Sequence, residues 1–351
     1  MDENHPLVTV VTPCHDAEAF VGETMESVLA QSYPAVEHVV VDDGSRDGSA
    51  EVAERFADRW PGRVRAFRLD ANRGGSHARN RGAAEARGEL LMFLDADDVL
   101  EPGAVSALVA ALRDPAAGVA VCRWERLRRG PDGEWGTGPA DAPLPASDPD
   151  EALRGWMDGS AWAPPCAVLW RREAYEATGG WDESLTLNDD GDLMMRALAG
   201  GTRIAQAVGG GALYRWHDAA RVSVSQSFLR EDKLRSQVRV LDKLRALLEG
   251  EGRTDAFAEA LGIAYQHAAL LGFQSGHLAL ARECLRTGRA LAGRRIVSPK
   301  PVGRALEMVF GLERKERLVQ ALARYGMMTP QRRRISRLRE AQAAAGPGGA
   351  R

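Results

Sequence analysis

The chain has 351 residues, enough for two or three domains and for a first one with a substantial core. Its formal net charge of -3 makes no case for nucleic-acid binding, and no apolar run approaches the roughly 18 residues needed to span a bilayer. Met1 to Pro6 is too short and polar for a signal peptide, so the expected location is the cytoplasm. Cys14, Cys122, Cys166 and Cys284 are scattered without CxxC or zinc-ligand spacing and read as reduced, mostly buried thiols.

In chain order, short β-branched runs alternate with amphipathic segments. Leu7 to Thr12 is a predicted strand, Gly22 to Gln31 a helix, and Glu37 to Val41 a strand ending at Asp42-Asp43-Gly44. Asp47 or Ser49 can cap a helix that runs to Arg59, because a short side-chain oxygen satisfies free amides of a first turn. Val64 to Leu69 is the third strand, Ser76 to Ala86 a helix and Leu90 to Leu94 the fourth strand. Pro102 to Leu112 adds a helix and Val119 to Trp124 a further strand. This repetition predicts an α/β fold with a mainly parallel sheet and helices on both faces. Gly130 to Pro149, rich in Pro, Gly and Asp, reads as a mobile loop.

Beyond Val222 the strand patterns stop. Ala264 to Phe273, a turn at Ser275-Gly276 and Leu278 to Leu291 suggest one tetratricopeptide-like helical hairpin. One hairpin is too few for an independent solenoid, so the expected all-α C-terminal domain, residues 223–340, is an appendage serving the acceptor site or a homodimer interface. From Arg294 onward bases outnumber acids, with Arg332, Arg333, Arg334, Arg337 and Arg339 close together. That stretch reads as a solvated helix face, with peripheral contact to an anionic membrane as the alternative. Residues 341–351 are Ala/Gly-rich and read as a disordered tail.

The most informative segment is Leu90-Leu91-Met92-Phe93-Leu94-Asp95-Ala96-Asp97-Asp98, an apolar run ending in three carboxylates. Parallel strands bring their carboxyl ends to one edge, where open α/β folds bind ligands, so these acids and Asp42-Asp43 can face one crevice. Acids held this close repel unless a cation neutralises them, and hard oxygen ligands suit Mg²⁺ or Mn²⁺ shared with a diphosphate. A solvated turn before Pro102 is the other reading. No GxGxxG follows the first strand and no GxxxxGK[ST] occurs, which argues against a dinucleotide dehydrogenase or a P-loop NTPase. Arg73-Gly74-Gly75 precedes a helix whose free amides, with Arg79, could meet phosphate oxygens.

Five ordered blocks then carry a resemblance: Thr9-Val10-Val11-Thr12-Pro13-Cys14-His15-Asp16, Ser27 to Tyr33, Val39-Val40-Val41-Asp42-Asp43-Gly44-Ser45, Asn72 to Gly82, and Phe93 to Asp98. With Gly179-Gly180-Trp181-Asp182-Glu183 and Asn188-Asp189-Asp190-Gly191-Asp192 they resemble family-2 glycosyltransferases across roughly the first 220 residues, a span used here as domain 1–222. The resemblance implies a GT-A fold, a Rossmann-like mixed and mainly parallel sheet flanked by helices. It also implies a nucleotide-diphosphate sugar donor, with UDP-sugars commonest, and inversion at the anomeric carbon.

On the matching positions, Asp43 falls where the family binds the nucleobase, with Pro13 and His15 beside it. Asp95-Ala96-Asp97 resembles the DXD motif that meets the ribose and the metal-bridged diphosphate, and Asp98 is a rival to Asp97 as ligand. Arg73 or Arg79 would supply the cation for the diphosphate, and His217, in Tyr214-Arg215-Trp216-His217, resembles a late block reaching the diphosphate or metal. Asp190 matches the catalytic base, and Asp189 the acid beside it on the acceptor side. The loop commonly reads Tyr-Asn where this chain has His15-Asp16, and the pair is commonly Glu-Asp where it has Asp189-Asp190.

The chemistry asks for these residue types. Breaking an anomeric C–O bond builds charge on a leaving diphosphate, which a cation and Arg stabilise, while one carboxylate takes the acceptor proton. Asp189 or Asp190 could instead cap a helix over Leu193 to Ala199. Trp181 suits either the sugar or acceptor pocket or the core. Cys166 suits packing far better than nucleophilic catalysis. The acceptor, whether glycan, lipid-linked glycan, peptide or small natural product, is not encoded in any motif. A nucleotidyltransferase and a non-catalytic binding protein built on the helical hairpin are the rival readings.

Overall fold

The computed structural model describes residues 5–130, 132–140, 142–217 and 230–324. The predicted boundary at 222/223, the Arg332–Arg339 cluster and the 341–351 tail lie outside them. The chain divides into two compact units, Met1–Ser223 and Val224–Arg351.

The first unit runs β1 (Val8–Cys14), α1 (Val21–Leu29), β2 (Val36–Asp42), α2 (Ser49–Arg59), β3 (Val64–Arg68), α3 (Gly75–Glu85), β4 (Leu90–Phe93), β5 (Val99–Leu100), α4 (Ala104–Ala111), β6 (Ala117–Val121), β7 (Trp124–Arg129), β8 (Trp135–Pro139), α5 (Pro149–Asp158), β9 (Val168–Arg171), α6 (Arg172–Ala177), α7 (Asp189–Ala199), β10 (Arg203–Gln206) and β11 (Ala212–Trp216). Seven strands form one sheet in the order β10-β6-β9-β4-β1-β2-β3. β1, β2, β3 and β4 are parallel, as are β6 and β10, while β9 runs antiparallel between β4 and β6. The result is the mixed, mainly parallel sheet expected.

Register places the site. Cys14 lies opposite Asp42 and Val11 opposite Phe93, so the loops after β1, β2 and β4 leave one sheet edge together. All seven residues of β2 are buried, including polar ones that must be paired to be tolerated. Thr9 Oγ1 donates to Glu37 Oε1 at 2.6 Å, and Thr12 Oγ1 meets His38 Nε2 at 2.8 Å. Burial pushes His38 down to about 3, which leaves its ring neutral. α3 crosses β1 so closely that a Cβ on Gly82 would stand 2.3 Å from Val11 Cγ1.

Two sequence expectations change. The single strand predicted over Val119 to Trp124 is two strands in different sheets: the chain turns at Cys122-Arg123, where Cys122 N–H donates to Ala167 O and Arg123 pairs with Glu101 and Glu125. The loop predicted over Gly130 to Pro149 contains β8, antiparallel to β7, with Gly133 in the left-handed region at the turn. β5, β11, β7 and β8 make a second sheet in that order. Asp47 does support the start of α2, its Oδ1 accepting the Ser49 N–H at 3.0 Å.

The second unit is helical: α8 (Glu231–Gly250), α9 (Thr254–Ser275), α10 (Leu278–Ala292), α11 (Pro301–Phe310) and α12 (Leu312–Arg324). α9 and α10 form the predicted hairpin, α9 beginning ten residues earlier than Ala264. Small residues set their approach, since a Cβ on Gly262 would sit 2.3 Å from Ala292 Cβ. None of the described helices is long and apolar enough to cross a membrane.

Candidate active site

Three groups of side chains gather at the carboxyl edge of the seven-stranded sheet. The first follows β1 and β2. Asp43 is buried, and its two oxygens accept the Arg73 and Gly74 N–H groups at 2.9 and 2.7 Å. It thereby ties the Arg73-Gly74-Gly75 turn to the end of β2. Gly74 is in the left-handed region, where a side chain would be strained. Pro13 is half-buried at the end of β1, and His15 beyond it is exposed, its Nε2 3.6 Å from Asp16 Oδ2. Arg73 projects outward, 4.0 Å from Glu183.

The second group centres on Arg79 of α3. Its Nη2 donates to Asp95 Oδ1 at 2.6 Å and its Nη1 to Asp189 Oδ2 at 3.1 Å. Ser76 Oγ also donates to Asp189 Oδ2, at 2.6 Å. One guanidinium thus joins the end of β4 to the start of α7, with its carbon 4.5 Å from the Trp181 ring centroid. Trp181 is buried and packs edge-on to Phe93. Asn80 fixes its backbone, accepting its N–H and donating to its carbonyl at 2.9 Å each.

Asp190 lies in the first turn of α7 beside Trp181, Trp156, Phe93 and Met194, which line a small apolar cavity with it. Burial first, and then the Asp189 charge, raise its carboxyl from 3.8 to about 6, against the Gly191 N–H and Arg79. Neither aspartate caps the helix, contrary to that expectation. Asn188 takes the capping position in a left-handed conformation, leaving Asp189 and Asp190 inside the first turn. The free amides there favour negative charge.

The third group joins the two sheets. Asp97 Oδ2 and His217 Nε2 are 2.6 Å apart. Phe20 and Trp135 pack against the His217 ring. Arg215, buried, donates from Nε to Asp97 O and from Nη2 to Glu23 Oε2, both at 2.6 Å, and lies over Trp135. Asp98 points the other way. Its Oδ1 accepts the Arg215 N–H at 2.8 Å, and burial, reinforced by Asp97 and Asp95, holds its carboxyl well above the usual range. The two lie in the tight turn that the Asp98 N–H closes on Asp95 O; Asp97 is partly exposed and Asp98 is 1% exposed, so Asp97 faces the crevice and Asp98 the core. As a metal ligand Asp98 is therefore disfavoured on geometry.

Sequence reasoning missed Ser76, Glu23, Phe20 and Trp135. Ser76 lies in a quoted block and reaches the site by being on the same face of α3 as Arg79. Nothing local marks the others, which arrive from α1 and β8. A larger concavity of about 770 Å³ opens at the amino edge, beside Gly88 and Arg172, and contains none of the strand-end aspartates.

The donor set suits a divalent cation shared with a substrate. Asp97 and His217 are both partly exposed at 31% and 25%, and hard cations bound to phosphate substrates typically take only one or two protein carboxylates. Among the described residues no group of three or more His, Cys, Asp or Glu is arranged to enclose a metal by itself.

The fold and this edge define a GT-A architecture: Staphylococcus aureus TarS residues 1–349, solved with UDP-GlcNAc, superposes with a TM-score of 0.66 at 19% identity, over 91% of this chain and 92% of that one. Residues 9–178, just under half of the chain, match the model of Glycosyl transferase family 2. The succinoglycan biosynthesis protein ExoO of Rhizobium meliloti is 28% identical over 300 residues, 82% of this chain and 80% of that one. The putative teichuronic acid biosynthesis glycosyltransferase TuaG of Bacillus subtilis is 38% identical over 93 residues, 26% of this chain. The chain spans little more than a third, 36%, of that relative's length.

Proposed function

We propose that the chain moves a glycosyl group from a nucleotide-diphosphate sugar, with a UDP-sugar the favoured donor, to an acceptor hydroxyl with inversion. The observation that carries this reading is the Arg79 bridge, which holds the strand-end acid Asp95 and the acid pair of α7 at one crevice. A base for the acceptor and a cradle for the donor then share one wall. The family match and the likeness to a structure holding UDP-GlcNAc support it.

In this reading Asp190 accepts the acceptor hydroxyl proton as the oxygen attacks the anomeric carbon and the C–O bond to the diphosphate breaks. A carboxyl raised to about 6 is ionised at neutral pH yet more basic than an ordinary aspartate. Asp189, held by Ser76 and Arg79, positions it. Pro13, His15 and Asp43 line the nucleobase end, Asp95 meets the ribose, and Arg73 and Arg79 provide positive charge for the diphosphate. Mn²⁺ or Mg²⁺ would be held by Asp97 and His217; when bound it neutralises charge on the leaving diphosphate.

Calorimetric titration with UDP, GDP and dTDP, each with and without Mn²⁺, tests the donor site. Metal-enhanced binding of one nucleotide is expected, with UDP first. Absence of binding to all three would overturn the reading.

A further inference from the structure

The α11–α12 hairpin of the helical unit is inside out. In an ordinary surface helix the buried face is apolar and the outer face polar. On α11, Val302 and Val309 are each 73% exposed, Met308 63% and Phe310 46%, while Glu307 is 1% exposed. Ala305 is exposed as well. At 100° per residue, Val302, Ala305 and Val309 share one side and Glu307 lies opposite. α12 shares part of the inversion: Lys315 and Glu316 are buried and Leu318 is exposed, while Leu312 at its start is buried.

The buried charges explain how the arrangement is tolerated. Glu307 accepts the backbone N–H groups of Val297 and Ser298 at 3.2 and 3.0 Å and the Ser298 hydroxyl. Lys315 Nζ donates to Ser298 Oγ at 2.7 Å and pairs with Glu316. Removing charges from water is costly unless their partners are in place. Here the network holds the helices together from within, so the apolar side chains are not needed for packing and remain outward.

We infer that this outward face docks on an anionic lipid bilayer. The charge around it selects that occupant. Lys300, Arg304 and Arg314 are exposed on and beside the two helices, and the nearby acid Glu313 is already engaged by Arg282 and Arg317. A second copy would present the same cationic rim and be repelled. Anionic headgroups attract each base while the valines, Met308 and Phe310 enter the headgroup boundary, the pattern of an interfacial helix. The inference is independent of the glycosyl-transfer reading.

Co-sedimentation of the full chain with vesicles of phosphatidylglycerol and phosphatidylcholine, and of phosphatidylcholine alone, tests it. Binding only to the anionic vesicles is expected. A double variant with Val302→Asp and Val309→Asp should weaken it by roughly tenfold or more, from lost apolar burial. Arg304→Glu should weaken it and steepen its loss with salt. Both positions face outward, so unchanged helical circular dichroism and melting temperature are the folding control. Binding that the double variant retains, absence of binding to either vesicle, or a lipid-free dimer by light scattering that the double variant dissociates, would each overturn the inference.

Discussion

Asp97 and His217 stand 120 positions apart and meet at 2.6 Å, one from the turn between β4 and β5, the other from just after β11. Replacing His217 with Ala is expected to remove most of the Mn²⁺ enhancement of nucleotide binding, lowering affinity about tenfold in metal and little without it. Asp97→Asn should do the same or more. Calorimetry in Mn²⁺ and in chelator separates the two; equal affinities of wild type and both variants in Mn²⁺ would remove these residues from the metal role.

Asp98→Asn tests the core-facing geometry. The amide fills the same space and can still accept the Arg215 N–H, and no metal ligand is lost. Mn²⁺-dependent nucleotide affinity should stay within about threefold of wild type, against the loss in Asp97→Asn. The opposite ranking would reinstate Asp98 as the ligand.

Asp190→Asn should lower transfer by about 10²- to 10⁴-fold while leaving nucleotide binding intact. The pH dependence follows from the raised carboxyl. Below about 6 Asp190 is protonated and cannot take a proton, so wild-type kcat should fall as pH drops through that value. Stability runs the other way: the folded chain holds this proton more tightly than the unfolded one, whose carboxyl stays near 3.8. Burial of the charge is therefore destabilising above about 6, and the penalty disappears as pH falls below 3.8. Asp190→Asn should accordingly melt higher than wild type at pH 8 and converge with it in acid. Thermal scans across pH read this directly.

Arg79→Ala leaves Asp95 and Asp189 facing each other without their shared cation. The partly exposed partners limit the cost, which should still reach about 2–3 kcal/mol in urea denaturation near neutral pH. Arg79→Lys should recover only part, because the three ammonium donors radiate from one nitrogen and cannot span both carboxylates as the planar fork does.

Gly82→Ala would force a methyl into Val11 and should destabilise by about 1–3 kcal/mol. The same change at Gly136, where a Cβ would meet nothing within 4 Å, should be close to neutral. Paired denaturation curves measure the difference.

Much of the first unit was legible because parallel strands write their ends in the sequence. Val39-Val40-Val41 and Leu91-Met92-Phe93 stop at acids, and register alone carries those acids to one edge. The helical hairpin was visible in the turn at Ser275-Gly276. What escaped was set by side-chain direction and by long-range meetings. Asp97 and Asp98 are identical in type, and only the pairing of β5 with β11 tells which faces the core. Trp135 and Phe20 reach His217 from β8 and from the residue before α1, and nothing in either segment ties it to a histidine distant in sequence. The division of Val119 to Trp124 depends on the turn at Cys122-Arg123, whose apolar neighbours read as an unbroken run. The inverted α11 was hidden because its periodicity is ordinary; only its orientation is unusual.

β5 is two residues long, begins directly after Asp98, and pairs with β11 just ahead of Arg215 and His217. Its length is therefore a phase lock. One residue inserted between Asp98 and Val99 would shift the Asp95–Asp98 turn relative to β11, drawing Asp98 away from the Arg215 N–H and Asp97 away from His217. A segment that looks like a surface turn should tolerate changes of side chain at its ends yet tolerate no change in its number of residues.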